Sequence, residues 1–207
     1  MQFIAIDAPG LLAHSGHSMR AVARRIACGQ RSPDAALVAR AREAGCGEAS
    51  PGRIESAGKW ADARARTQLA EALGQPLGHA LRPTFEWYIC RGAFFHTDAH
   101  YTDVMFGVWY LDGPPVDIVF ARAGVRVAAL AGSIVVFDPF EVHGVLHGGA
   151  SEYVAADYAN APRSVFAGFE LELDDAVHAS FAITEAASGA RVVSTHTRVS
   201  AASGALD

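Results

Sequence analysis

From Phe85 onward the chain is a close succession of short apolar runs, each ended by turn residues. They cover Phe85 to Cys90, Val104 to Leu111, Val116 to Phe120, Val125 to Leu130, Ile134 to Phe137, Val142 to Leu146 and Val165 to Leu173. Runs of this length, rich in β-branched and aromatic residues, are strand signals. Gly113-Pro114-Pro115, Ala123-Gly124 and Ala131-Gly132 supply the turns. Phe169-Glu170-Leu171-Glu172-Leu173 alternates as a strand with one wet face should. Seven or eight strands so closely spaced indicate a sandwich or barrel rather than a parallel βαβ sheet.

The first third reads as helical. Ser18 caps a first segment that ends at Cys28, with Gly29 as its stop. Ser32-Pro33-Asp34 is a second start signal, with a capping hydroxyl, a proline and an acid in order, and Gly45 ends that helix. A third helix is predicted from Lys59 to Leu73, stopped by Gly74. The class is therefore mainly β with N-terminal helices (α+β). All 207 residues fit one domain. Within it, 1–80 form a helical part packed on the core, 85–173 the β core and 174–207 a C-terminal extension with loose last residues. With 51% hydrophobic and 19% charged residues, there is material for a real core, which argues against general disorder.

Composition excludes several function classes. A net charge of −5 gives no basic field for a nucleic-acid backbone. Lys59 is the single lysine, and Ser56-Ala57-Gly58-Lys59-Trp60 lacks the glycine spacing of a phosphate loop. Cys28, Cys46 and Cys90 have neither the number nor the spacing of a disulfide framework or a structural zinc site. No run approaches the roughly 18 apolar residues of a membrane span, and the N-terminus does not read as a leader, so a soluble, cytoplasmic protein is expected.

The candidate chemistry lies at His96-Thr97-Asp98 and His143. Residues i and i+2 of an extended segment point to the same side. His96 and Asp98 can thus offer a nitrogen and a carboxylate oxygen to one metal ion, and His143, from a distant strand, can complete the set. Two imidazoles and one carboxylate make the facial triad of non-haem Fe(II) oxygenases, with three positions left open. His100 extends the motif to His-x-Asp-x-His and is an alternative to His143. His147 reads as a loop residue.

The surroundings strengthen this reading. Tyr88 to Asp98, then Val108-Trp109-Tyr110-Leu111-Asp112-Gly113, then Ala131 to Phe137 followed by His143-Gly144-Val145 resemble, in that order, the core of the Fe(II)/2-oxoglutarate-dependent dioxygenases. The resemblance covers about residues 85–173. It implies a distorted double-stranded β-helix of jelly-roll or cupin type, Fe(II) on His96, Asp98 and His143, and 2-oxoglutarate as cosubstrate. It also implies an arginine at the start of the last core strand to hold the distal carboxylate of 2-oxoglutarate. Arg163 stands there, with Arg122 and Arg126 as substitutes and Tyr88 as a hydroxyl donor to the same carboxylate. The interval from His143 to Arg163 is longer than usual for the family, and Gly148 to Pro162 fills it as an inserted loop. The implied reaction is hydroxylation of a small molecule or peptide with O2. Trp109, Tyr101, Tyr153 and Tyr158 are candidates for the substrate wall. Two other readings stand beside this one. One is a cupin-type metal enzyme without 2-oxoglutarate, and the other a non-catalytic β-barrel binding module.

Overall fold

A computed structural model describes residues 4–7, 13–14, 21–44, 47–189, 192–194 and 196–207. In chain order the first elements are β1 (Ile4–Asp7), β2 (Ala13–His14), β3 (Ala21–Val22), β4 (Arg25–Gln30), α1 (Ala35–Ala44), β5 (Glu55–Ala61), α2 (Ala63–Leu73) and α3 (Leu77–Ala80). Then come β6 (Thr84–Cys90), β7 (Ala93–His96), β8 (Val104–Asp112), β9 (Val116–Phe120), β10 (Val125–Ala129), β11 (Ser133–Phe137) and β12 (His143–Leu146). The chain closes with α4 (Ala155–Tyr158), β13 (Ser164–Glu172), α5 (Asp175–Ser180), β14 (Thr184–Glu185) and β15 (Val192–Val193). The architecture is mainly β.

Two antiparallel sheets carry the core, a large one ordered β1-β4-β11-β8-β13-β6-β5 and a small one ordered β10-β9-β12-β7. All seven strands expected after Phe85 form, within one or two residues of the expected ends. Along β6 the side chains alternate. Phe85 and Trp87 enter one apolar cluster, whereas Tyr88 and Cys90 face another. The first cluster joins the outer face of the large sheet (Trp87, Trp109, Phe169, Leu171) to Leu37, Leu69, Leu77 and Val177 of the helices. The second fills the space between the sheets with Phe106, Ile118, Phe120, Phe137, Val145 and Phe166. Period-two alternation thus gives each strand of the large sheet one face for stability and one for the interior.

The N-terminal third departs from expectation. The helix read up to Cys28 is instead β3 and β4, and Ser18 lies outside the described residues. β4 sits inside the large sheet between β1 and β11, so its backbone groups are paired on both sides. Pairing outweighs weak helical patterning here. The second helix forms as α1, and its cap is Asp34, whose Oδ1 accepts from Leu37 N at 2.8 Å, rather than Ser32; Gly45 lies outside the described residues. The third helix begins later than expected. Lys59 belongs to β5, and Asp62 caps α2, accepting 3.0 Å hydrogen bonds from Arg64 N and Ala65 N. Gly74 ends α2 as expected, at φ 69° with its N–H on Ala70 O. Residues 1–80 therefore also extend the large sheet through β1, β4 and β5.

The last residues are not loose. Val199 bridges Leu206, and Ala201 O accepts from Phe95 N at 3.0 Å, which lays the tail along β7. Within the C-terminal extension Val192–Val193 form β15, which pairs in parallel with β2. Among the described residues no helix is long and apolar enough to cross a membrane.

Candidate metal centre and its cavity

His96 is the last residue of β7, and His143 the first of β12. The two are register partners across this antiparallel pair, which brings their rings to 4.4 Å between centroids. Asp98 follows two residues after His96, and its N–H on Pro139 O (2.8 Å) turns the chain so that the carboxylate lies beside both rings. Its Oδ1 is 3.7 Å from His96 Nε2, and its Oδ2 is 3.4 Å from His143 Nε2. One donor atom from each of the three residues lies within 4.8 Å of the others. Two donors each about 2.1 Å from one ion and at right angles to it are about 3 Å apart, so a small contraction completes a coordination face.

The imidazoles are held for this purpose. His96 Nδ1 donates to Phe94 O at 2.7 Å, and His143 Nδ1 donates to Glu141 O at 2.9 Å. With Nδ1 bonded to a carbonyl, each ring turns its Nε2, the atom a metal would take, to the Asp98 carboxylate. His96 Nε2 is buried with no hydrogen-bond partner, the state a metal ligand is in before the metal arrives. Burial, and next the adjacent His143, hold His96 below the ordinary imidazole value against the opposing pull of Asp98. Burial pushes Asp98 up, but its contacts with His143 and His96 more than offset that and leave it below the usual carboxylate range. Phe137 and Phe120 flank His143, with ring centroids at 4.5 and 6.0 Å, and keep its inner side dry.

The triad opens on a cavity of about 510 Å³ between the sheets. That size suits a small organic ligand. Its deep wall is Cys90, Phe106, Val108, Ile118, Phe137 and Phe166. Gly168 makes room for the Tyr88 ring, since a Cβ there would lie 2.5 Å from Tyr88 Cε2. Glu86 and Ser56 also line the cavity, and Ser56 Oγ donates to Glu86 Oε1 at 2.6 Å. Tyr101 OH donates to Glu86 Oε2 at 2.6 Å and meets Tyr88 OH. Burial pushes the Glu86 carboxyl up; the hydrogen bonds from Ser56 and Tyr101, the nearby Tyr88 hydroxyl and the charge of Lys59 outweigh it, so the group lies below its usual range.

No family profile and no curated protein matches the chain. Among solved structures, a Pseudomonas putida prolyl-4-hydroxylase is similar at TM-score 0.43 and 21% sequence identity. The likeness spans 71% of this chain and 93% of that one.

The other residues singled out in the sequence fall elsewhere. Arg163 is exposed, donates to Gly47 O and does not line the cavity. Arg126 is committed to Asp117 and Ala150 O, and Arg122 is exposed; neither lines the cavity. Tyr88 does line it. His100 stands on the cavity wall but is not one of the clustered donors, and His147 packs on Tyr158. None of the four aromatics expected in the substrate wall lines the cavity. Trp109 faces the helices, and Tyr101 stands behind Tyr88. Tyr153 and Tyr158 stack 4.9 Å apart, with Tyr153 against Gly52 and Tyr158 against Gly92. The 148–162 loop thus buttresses the segments flanking β7 and does not roof the cavity. The residues not foreseen are Gly52 to Ser56 and Glu86. Glu86 shares the inward face of β6 with Tyr88, a signal that i, i+2 spacing carries. The 52–56 segment has no comparable sequence signal.

Proposed function

We propose that the chain is a non-haem iron oxygenase that hydroxylates a C–H bond of a small molecule or peptide with O2 and a two-electron co-reductant of the 2-oxo acid class, on a double-stranded β-helix. The strand order supports that fold, since β6 to β13 pass repeatedly between the two sheets. The observation that carries the function is the convergence of His96 Nε2, His143 Nε2 and the Asp98 carboxylate on one point of the cavity wall. Two neutral nitrogens and one carboxylate suit Fe(II) and leave three positions for other ligands. Iron held there would supply the redox chemistry that activates O2. The chain's own groups do the rest. The Phe94 and Glu141 carbonyls fix the rings, Asp98 supplies the negative charge, and Phe120 and Phe137 exclude water behind His143.

The resemblance also implies 2-oxoglutarate, and here the residues do not fit. Arg163, Arg122 and Arg126 lie outside the cavity, and its deep wall is uncharged. This same observation favours a second reading, a metal-dependent β-barrel enzyme that takes no 2-oxoglutarate. Iron binding tests what the two readings share. Anaerobic Fe(II) dialysis is expected to load wild type. Asp98→Ala should weaken binding beyond the roughly 10- to 100-fold that loss of an outer-shell partner costs, with the melting temperature little changed. A wild-type protein that takes up no Fe(II) would end both readings.

A further inference from the structure

We propose that the molecule chelating the metal in this cavity is a 2-oxo acid whose distal end is uncharged and apolar, not a dicarboxylate. The proposal rests on the reading that His96, Asp98 and His143 hold iron, and it extends that reading to ligand class.

The inward positions of the strands decide it. On β13 the inward positions near its start are Ser164, whose hydroxyl is engaged with Tyr110 OH, then Phe166 and Gly168. β9 contributes Ile118, β8 contributes Phe106 and Val108, β12 contributes Val145 and β6 contributes Cys90. Burial pushes the Cys90 thiol up to about 12, so it too is neutral at pH 7. A carboxylate placed among these groups would lose its hydration and find no cation among the described residues of this wall, whereas a methylene chain would gain by leaving water. Among the described residues, the ionisable cavity residues apart from the triad are Glu86, Glu55, Arg53 and His100, and His100 packs on the Tyr101 ring. Glu86 is the one on the inward face of β6, and it repels a second carboxylate. Arg53 is exposed on the rim, where solvent screens its attraction.

The hydroxyls do not compensate. Tyr101 spends its one proton on Glu86, so its oxygen accepts from Tyr88 O–H. The Tyr88 proton is thus engaged with Tyr101, and a carboxylate would have to displace that hydrogen bond to accept it. Lys59 is engaged with Glu170 at 2.6 Å and lies outside the cavity lining.

The test compares 2-oxoglutarate with 2-oxohexanoate, in which an ethyl group replaces the distal carboxylate. Each is titrated anaerobically into Fe(II)-loaded protein, and the visible charge-transfer band gives Kd. Iron loading is established first, so failure of the metal site and failure of this proposal are separate results. The expected outcome is a Kd for 2-oxohexanoate at least about tenfold below that for 2-oxoglutarate. Glu86→Gln should narrow the gap by strengthening 2-oxoglutarate alone, and Arg163→Ala should leave both values unchanged. The proposal is overturned if 2-oxoglutarate binds as tightly or tighter, if its binding is lost in Arg53→Ala or Arg163→Ala, or if neither acid perturbs the iron-loaded protein. A gap that Glu86→Gln leaves untouched removes that carboxylate as a cause.

Discussion

Asp112 illustrates how little a single charged group needs in order to be tuned. It closes β8, and Arg42 of α1 grips it with a fork, Nε on Oδ2 at 3.0 Å and Nη2 on Oδ1 at 2.9 Å. The hydrogen bond and charge of Arg42 hold its carboxyl below the usual range, with burial opposing. A carboxyl whose folded pKa is depressed stabilises the fold above its unfolded value, and that stability is lost as pH falls through the folded value. Asp112→Asn should therefore lower the melting temperature slightly at pH 7, and the difference should shrink as pH falls through the depressed folded value, where the wild-type carboxyl becomes neutral as well. The pair is largely exposed, so added salt should shrink the difference as well. Melting curves over a series of falling pH, with and without salt, read this directly. At the same scale, the triad was legible because His96 and Asp98 carry their geometry in their spacing. Arg163 was not, because placement at the head of a strand does not say which way a side chain turns. Its guanidinium reaches Gly47 O on the outside.

Among the elements, Asp62 does most with one side chain. It caps α2 through Oδ1 and pairs with Arg40 through Oδ2, while almost fully buried. Asp62→Ala should cost about 1–2 kcal/mol in urea unfolding, toward the upper end for a cap because the ion pair is lost with it. Metal affinity should not change, since α2 packs on the far face of the large sheet. This residue also marks where sequence reading stopped short. An N-cap aspartate directly before an alanine-rich run is a helix start, yet the run from Lys59 looked continuous with it. The β strands after Phe85 were legible because turn residues bracket each one. β4 was not, because Arg25–Gln30 is a strand by virtue of its neighbours β1 and β11, and a partner's position is not written in the strand itself.

For the whole molecule, the large sheet separates two apolar bodies with different duties. The body under the helices is closed and supplies stability, whereas the body between the sheets is hollowed by the cavity. Changes in the two should therefore divide cleanly. Leu69→Ala, in a fully buried position under α2, should cost about 2–5 kcal/mol and leave the Fe(II) Kd within error of wild type. Val108→Ala, on the cavity wall, should cost less and alter ligand Kd instead, because its side chain already borders open space. Urea denaturation and metal titration on the same two variants separate these effects.

The tail along β7 has a practical consequence. β7 is the outermost strand of the small sheet and ends in His96, and Phe95 there donates its N–H to Ala201 O. An uncovered outer strand is a template on which other chains can add. A version shortened by residues 199–207 should therefore form concentration-dependent oligomers on a sizing column, through the strand that carries a metal ligand.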